Sequence, residues 1–299
     1  MEKLGSIRQF DYLSGDPSLV GKRAQQPPGG DLHMHTCYSD GAFSPEDVIR
    51  RAAEKKLSIV SITDHDSVNG IQESIECGLS HNIEVIPGIE LSAACGNREV
   101  HILGYFIDHN DKELGDYLEF FRGQRVKRAR EMVSRLNELK IPVSIDVVLE
   151  NAEGRSIGRP HVAEAVLETG RVKNYLEVFH KYIGFGCPAY VEKYRLDVKD
   201  AVAMIARAGG LSFIAHPNDA LGDTVLFDII KAGIDGIETT HPSLNTSKSE
   251  YYRGIAREYY LLESGGSDFH GGKRDDEGNI GRYGVSLNYI DAMRKRLVA

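Results

Sequence analysis

The chain has 299 residues and a formal net charge of −8, with 41% hydrophobic and 27% charged residues. This composition is typical of a water-soluble globular enzyme, and the negative charge argues against a surface that coats nucleic acid, because such surfaces are basic. No apolar run is long enough to span a bilayer, and four cysteines without a Cys-x-x-Cys pair are typical of free thiols in a reducing compartment. We therefore expect a cytoplasmic protein with no membrane partner and no stable nucleic-acid partner.

Hydrophobic periodicity divides the chain into three parts. Residues 1–30 show no sustained period and end in a cluster of Pro and Gly, which predicts an N-terminal extension. Strand and helix patterns alternate over residues 31–110 and again over 191–299, which predicts a mainly parallel sheet that closes into a barrel of six or seven βα units. Residues 111–190 are highly charged with apolar residues at helical spacing, and are predicted to form a helical insert subdomain.

Local signals support this division. Ser44 followed by Pro45 is a typical helix start, with a capping hydroxyl and then a proline at the first helical position. A β-rich run over residues 58–63 stops before Asp64, and a second strand is predicted to end at Glu90. The later predicted strands run into His216, His241 and the segment around Asp268 in the same way.

The most informative regularity is the position of histidines and acids relative to these strands. In a parallel βα barrel the carboxyl ends of all strands share one face, where active sites are built. The residues at or just past such ends are His33, His35, Asp64, His65, Glu90, His216, His241, Asp268 and His270. His101 lies near the start of its predicted strand, and it is an exception unless that strand runs antiparallel to its neighbours.

Histidine and carboxylate ligands without thiolates suit Mn²⁺, Zn²⁺ or Fe²⁺ in a hydrolytic site. The set is too large for one ion, whereas two or three ions with a bridging carboxylate would use it. Paired metal ions are the usual arrangement for phosphoester cleavage, because they activate water and neutralise charge on the phosphoryl oxygens. The residues therefore predict a hydrolytic metal centre of a kind that suits phosphoester cleavage.

Several short motifs resemble, in order, those of the polymerase and histidinol phosphatase (PHP) family. They are His33-x-His35 with Asp40, Asp64-His65, Gly88-Ile89-Glu90, His101, Ala215-His216-Pro217 and Ser267-Asp268-x-His270. The resemblance implies a distorted (β/α)7 barrel of the TIM-like, PHP type, with a helical insert. Through Thr63–Asp66, Pro87–Glu90, Gly158–His161 and His241, the chain looks most like bacterial members that act on nucleoside 3',5'-bisphosphates and, in some cases, trim short RNA from the 5' end.

The resemblance also implies a distribution of metal ligands, with Mn²⁺ as the expected ion and Zn²⁺ or Fe²⁺ as alternatives. The first ion would take His33, His35, Glu90 and Asp268. The second would share Glu90 with His101 and His216, and the third would take Asp40, His65 and His270.

Catalytic and substrate-binding roles follow from the same resemblance. A metal-activated hydroxide is expected to attack phosphorus, with Glu90 and Asp268 holding the ions and Arg159 stabilising charge on the phosphoryl oxygens. His161 and His241 are expected to contact the substrate, and either could protonate the leaving oxygen. The Gly158–His161 motif could also simply open a helix, and Asp66 could hold an imidazole or cap the next helix.

Three alternative functions remain open at this stage. A histidinol-phosphate or sugar-phosphate phosphatase would have the same fold, and a non-catalytic PHP module would keep the ligands without turnover. An amidohydrolase barrel also begins with His-x-His, although it would not need the cluster of Asp40, His65 and His270.

The basic run from Arg122 to Arg130 is expected to be a solvated helix face, with contact to the backbone of an RNA substrate as the alternative.

Overall fold

The structure is a computed structural model that describes residues 29–152, 156–217 and 221–298, with Lys273 described by its backbone alone. The predicted N-terminal extension therefore lies outside the described residues, except for Gly29 and Gly30. The sheet strands are β1 Gly30–Met34, β2 Ile59–Ile62, β3 Glu84–Cys95, β4 Arg98–Tyr105, β5 Leu196–Asp197, β6 Leu211–Ile214, β7 Gly236–Thr240 and β8 Leu262–Gly265.

Helices follow most of these strands, as the alternation of patterns predicts. Those of the barrel are α1 Pro45–Glu54, α2 Ile71–His81, α7 Val198–Arg207, α8 Gly222–Lys231, α9 Thr246–Glu258 and α10 Leu287–Leu297. Between β4 and β5 lie α3 Lys112–Glu138, α4 Ile145–Ala152, α5 Arg159–Glu168 and α6 Tyr175–Val178, which continues into a π-helical turn, Phe179–Ile183. A short 3-10 turn, Gly272–Arg274, follows β8. Among the described residues no helix is both long enough and apolar enough to cross a membrane.

The strands form a nearly closed barrel in the order β1-β2-β3-β4-β6-β7-β8, and the short β5 pairs with the far end of β3. All neighbours are parallel except β4, which runs antiparallel to both β3 and β6. Closure between β1 and the segment after β8 uses a bridge between Met34 and Phe269, where the His35 N–H donates to the Phe269 carbonyl over 2.8 Å.

The reversed direction of β4 accounts for the exceptional position of His101. Because β4 is antiparallel, its first half lies at the same face as the carboxyl ends of the parallel strands. Ser92 of β3 pairs with His101, and the Ala215 N–H just after β6 donates to the His101 carbonyl over 3.0 Å. The sequence alternative of an antiparallel strand is thereby confirmed.

The prediction that the strand beginning near Glu84, β3 of the structure, ends at Glu90 is wrong. β3 continues to Cys95 and turns at Gly96 into β4, and the residues beyond Glu90 complete a long antiparallel ladder that projects past the barrel rim. Hydrophobic periodicity alone does not show where this strand ends, because the residues around Glu90 give no signal either to end the strand or to continue it.

The helical segment has a hydrophobic cluster of its own. All members of that cluster lie between Val126 and Val191, whereas the clusters under the barrel helices are made from barrel residues and the start of α3. Leu114 and Leu118 of α3 pack with the barrel, and Met132 and Leu136 pack in the insert. This single helix of about 40 Å therefore joins both cores. The exact domain boundaries at residues 111 and 190 stay a prediction.

The start of α1 provides a direct test of local stabilisation. Ser44 is extended, and its hydroxyl accepts a hydrogen bond from the Asp47 N–H over 3.2 Å, as the sequence predicts. We expect Ser44→Ala to lower the free energy of unfolding by about 1 kcal/mol, because one amide at the helix N-terminus loses its partner. Urea denaturation measures the change, and Ser80→Ala at an exposed position of α2 is the control that leaves stability nearly unchanged. An equal effect of both variants would contradict the capping role.

Candidate metal centre

Nine side chains that the sequence singles out converge at the barrel face where the parallel strands end. β1 carries His33 and leads into His35 and Asp40, and β3 and β4 carry Glu90 and His101 within their ladder. The remaining members follow the ends of β2, β6 and β8, and they are His65, His216, Asp268 and His270. The structure thus brings together all the residues predicted to bind metal, while the role of each as a ligand stays a prediction.

The first convergence, called here the His33 group, consists of His33, His35, Glu90 and Asp268. The Nε2 atoms of both histidines lie 3.3 Å from Glu90 Oε2, and they lie 3.3 and 3.1 Å from Asp268 Oδ1. His33, His35 and Glu90 are fully buried, so the four groups meet in a space closed on the barrel side.

The second convergence, the His101 group, is made by Glu90, His101 and His216. Glu90 Oε1 lies 2.8 Å from His101 Nδ1 and 2.9 Å from His216 Nε2, and these two nitrogens are 3.3 Å apart. Because Oε2 of the same carboxylate belongs to the His33 group, Glu90 connects the two. This is the position that a bridging carboxylate would occupy between two ions.

The third convergence, the Asp40 group, is made by Asp40, His65 and His270. Asp40 Oδ1 lies 3.1 Å from His270 Nε2 and 3.9 Å from His65 Nε2, and His35 lies close enough to join the same set. The guanidinium of Arg274 also contacts Asp40, with Nη2 2.7 Å from Oδ2. A cation therefore already approaches this carboxylate from the solvent side.

Several of these buried nitrogens have no hydrogen-bond partner in the structure. They include Nδ1 and Nε2 of His35, Nδ1 of His65 and Nε2 of His270. His35 Nε2, His65 Nδ1 and His270 Nε2 each lie within 3.3 Å of a carboxylate oxygen without forming a hydrogen bond to it, as is expected when lone pairs point towards a common centre. Buried polar atoms without partners are unfavourable, and a bound cation would satisfy them. The donor set of imidazole and carboxylate fits divalent ions such as Mn²⁺, Zn²⁺ or Fe²⁺.

Electrostatics in the cluster keep its buried carboxylates ionised and His35 neutral, whereas nearby carboxylates raise the pKa of His33, His65 and His270. Burial opposes ionisation of Glu90 and Asp268, but the surrounding imidazoles hold the pKa of each well below its usual value. Burial, together with the neighbouring His270, lowers the pKa of His35 to about 3, so this imidazole is neutral. His33 differs, because the carboxylates of Glu238, Glu90 and Asp268 overcome its burial and raise its pKa well above the usual value.

Two buried acids that the sequence analysis missed form hydrogen bonds with members of the cluster and with the residues next to them. Glu238 of β7 accepts a hydrogen bond from His33 Nδ1 over 3.0 Å and one from the His216 N–H over 2.5 Å. Asp31 accepts hydrogen bonds from the N–H groups of Ser267 and His33, and burial raises its pKa to about 7. A Glu in the middle of a short predicted strand, as in residues 236–240, is the signal that could have identified Glu238.

The backbone around the cluster is held in unusual conformations. Asp66, His216 and Asp268 have φ values of 50°, 27° and 50°, which non-glycine residues seldom adopt and which cost on the order of 1–3 kcal/mol each. Gly266 approaches the His33 backbone so closely that a Cβ there would lie 2.4 Å from its nitrogen. These are places where the fold accepts strain in order to position functional groups.

A cleft of about 460 Å³ opens beside the Asp40 group and His101. One wall belongs to the barrel, and the other is contributed by Arg125, by the segment from Ser156 to His161 and by Lys193, with Arg274 at the edge. The helical insert therefore lies beside the mouth of the barrel and forms half of this cleft. Arg125, a member of the basic run from Arg122 to Arg130, and Lys193, which the sequence analysis did not select, bring positive charge to it.

The three predicted substrate contacts have different surroundings. His161 lines the cleft, and its Nδ1 accepts a hydrogen bond from the Gly158 N–H over 3.0 Å at the start of α5, so the motif also opens a helix as one alternative proposed. Arg159 lies over the Phe179 ring at 5.8 Å and, in the described part of the chain, is not among the cleft-lining residues. His241 is buried beside the His33 group, with Nε2 3.3 Å from Asp268 Oδ2.

The geometry agrees with what is found in known proteins. Residues 31–204 match the model of the PHP domain. The chain belongs to the PHP family. A relative from Chromobacterium violaceum, "3',5'-nucleoside bisphosphate phosphatase", is 34% identical over 80% of this chain and 86% of its own. The "5'-3' exoribonuclease Rnm" of Escherichia coli is 30% identical over 80% of this chain and 84% of its own.

Solved structures support the same PHP assignment. A candidate metal-dependent phosphoesterase from Bifidobacterium adolescentis superposes with a TM-score of 0.78 at 28% identity, over 91% of this chain and 98% of that chain. The predicted fold, a distorted TIM-like PHP barrel with a helical insert, is confirmed. This chain is therefore a hydrolase of phosphoester bonds, and its clustered His, Asp and Glu side chains are candidates for a centre that holds divalent metal ions.

Glu238 gives a test of this centre that does not depend on the substrate. We expect Glu238→Gln to weaken binding of Mn²⁺ roughly ten- to 100-fold, because an acid that holds an imidazole ligand sets its orientation and basicity. Isothermal titration calorimetry measures the affinity. Glu263→Gln is the matched control, since Glu263 lies on the neighbouring strand but bonds outward to Thr239 and Arg253. Equal affinities of Glu238→Gln and the unmodified protein would exclude the role assigned to Glu238.

Proposed function

We propose that this protein removes phosphate from nucleotides, with nucleoside 3',5'-bisphosphates as substrates and short RNA, degraded from the 5' end, as a second substrate class. One observation supports this most strongly. The cluster of imidazoles and carboxylates, which could bind several metal ions, opens directly onto a cleft lined by Arg and Lys side chains. The two relatives described above bear names with these activities and are covered over most of their length.

The charges of the cleft support an anionic substrate. Lys193 Nζ lies 3.0 Å from Glu99 and 2.9 Å from the Ser92 hydroxyl, and Arg274 is half exposed at the opposite edge. Both cations face a centre whose carboxylates would be neutralised by bound metal ions, so a phosphate would meet net positive charge. Lys193 and Arg274 are therefore better placed than Arg159 to bind the phosphate groups of a substrate.

His241 is suited to donate a hydrogen bond to the substrate. Its Nδ1 accepts a hydrogen bond from the Ser243 N–H over 3.0 Å, so in the neutral ring the proton is on Nε2. That N–H points towards Asp268 and the His33 group. A nitrogen that carries a proton cannot bind a metal ion, which supports a substrate contact through an Nε2–H hydrogen bond over a further ligand. His241, His33 and Asp268 nevertheless lie close enough to share an ion.

The expected ions, Mn²⁺ with Zn²⁺ or Fe²⁺ as alternatives, would lower the pKa of water and neutralise charge on the phosphoryl oxygens when bound to the three groups. The chain's own contribution is to position them. Glu90 and Asp268 would hold the ions of the His33 group, Glu238 fixes the ring of His33, and Lys193 and Arg274 orient the phosphate. His241 would donate a hydrogen bond from its Nε2–H to an oxygen of the phosphate group.

The scattered cysteines support action in the reducing cytoplasm.

Among the alternative functions, a histidinol-phosphate phosphatase would use the same metal centre and would differ from the proposed enzyme only in its substrate. The Asp40 group supports a phosphoesterase over an amidohydrolase, which would not need it.

The substrate is tested by metal-stripped protein reloaded with Mn²⁺, Zn²⁺ or Fe²⁺ in turn. We expect phosphate release from adenosine 3',5'-bisphosphate to exceed that from histidinol phosphate at least tenfold in kcat/KM. A 5'-phosphorylated oligoribonucleotide, followed by gel electrophoresis, tests the second substrate class. Preference for histidinol phosphate would favour the alternative phosphatase, and no turnover with any metal would favour the non-catalytic module.

The ligand assignment is tested by Asp268→Asn and His35→Ala. Each variant removes one donor of the His33 group, and we expect turnover to fall at least 1,000-fold, about 4 kcal/mol of transition-state stabilisation. Circular dichroism is the control for the fold, which should remain. Near-normal activity in either variant would show that the assignment is wrong.

Lys193→Gln tests the cleft. Loss of one charge-assisted hydrogen bond, roughly 1.5–3 kcal/mol, should raise the KM for adenosine 3',5'-bisphosphate about tenfold or more with a smaller change in kcat. Lys181→Gln is the matched control, because Lys181 is on the insert but exposed and paired with Glu177. If the two variants had the same KM, Lys193 would not be a substrate contact.

A further inference from the structure

An ion pair joins the helical insert to the metal centre. Arg125 of α3 places Nη2 2.7 Å from Oδ2 of Asp66, and the exposed fractions of the two side chains are only 14% and 1%. Nη1 of Arg125 also donates to the Ile157 carbonyl over 3.3 Å, which fixes the guanidinium within the insert. This is a partly buried contact between two parts of the chain that have separate hydrophobic clusters.

Asp66 in turn holds the segment that carries His65. Its N–H donates to the Glu90 carbonyl over 2.9 Å, and its carboxylate accepts hydrogen bonds from the Ser92 N–H and hydroxyl, both over 2.8 Å. Ser92 pairs with His101 across the β3–β4 ladder. Asp66 is therefore linked through its backbone to Glu90 and through its side chain to Ser92, the residue that pairs with His101, without belonging to any of the three ligand groups.

The local backbone needs this anchoring. Asp66 has a φ of 50°, in the left-handed region that an aspartate adopts only where the surroundings hold it. The preceding residue, His65, approaches Glu90 through Nδ1 at 3.0 Å and Asp40 through Nε2 at 3.9 Å. A small rotation of the Asp66 backbone would move this imidazole away from both.

We propose that Arg125 is a positioning residue through which the helical insert holds His65 in place for metal binding. The guanidinium compensates the buried charge of Asp66. The carboxylate can therefore keep its hydrogen bonds with Ser92, and the segment that carries His65 keeps its strained conformation. Metal binding and docking of the insert are then coupled, and each favours the other. The inference rests on the proposed metal-dependent function, but its test does not require turnover.

The experiment titrates metal-free protein with Co²⁺ and follows visible absorption, with the bound stoichiometry measured by elemental analysis. In Arg125→Gln we expect one ion, the one that His65 would bind, to be held at least tenfold more weakly, with a changed absorption spectrum, while the other ions bind as before. Arg125→Lys restores the charge next to Asp66 and should recover most of the affinity. A merely structural role would lower stability without changing the spectrum or being rescued in this way.

Arg122→Gln is the matched control, because it lies one turn earlier on α3 at an exposed position. If Arg125→Gln does not fold, Asp66→Asn removes the ion pair from the other side and is measured in the same way. Unchanged Co²⁺ binding in Arg125→Gln would overturn the inference and leave the proposed function intact. If Arg125→Gln does not fold, unchanged Co²⁺ binding in Asp66→Asn has the same meaning. Unmodified protein that binds no Co²⁺ would overturn both, and protein that binds it but hydrolyses no phosphoester would overturn the proposed function alone.

Discussion

One buried carboxylate organises the whole centre. Glu90 is completely buried, and imidazoles from four parts of the chain lie within about hydrogen-bond distance of its two oxygens. These imidazoles belong to His33, His35, His65, His101 and His216. A carboxylate removed from water without compensation would be strongly unfavourable, so these contacts, and the cations that the same donors can bind, are a condition for the barrel to exist in this form.

The direction of a single strand makes this arrangement complete. If β4 were parallel to its neighbours, His101 would lie at the opposite end of the barrel from the other ligands. The antiparallel β3–β4 ladder instead carries Glu90 and His101 on neighbouring strands, and it also places Ser92 beside the Asp66 carboxylate. His216 and Asp268, whose φ values are strained, follow the ends of β6 and β8 at the same centre. The ladder and these turns together hold the ligands in one place.

The helical insert gives the centre its second wall. It has its own hydrophobic cluster, and α3 connects that cluster to the core of the barrel. The basic run from Arg122 to Arg130 illustrates why a pattern of charges is an incomplete guide. Arg125 and Arg128 turn inward, to Asp66 and to the Val191 carbonyl, whereas Arg122 and Arg130 are exposed. The run is therefore neither a uniformly solvated face nor a continuous positive track.

The sequence by itself determined the alternation of strands and helices, the helical insert and the ligand types, because these depend on local periodicity, helix capping and short motifs. It could not determine the full length of β3, the roles of Glu238 and Asp31, or the inward direction of Arg125. A strand direction, a buried hydrogen bond and a contact between residues 59 positions apart depend on packing between distant segments. No local pattern of residues records such packing, so only the tertiary structure decided how the predicted ligands are grouped and what holds them in place.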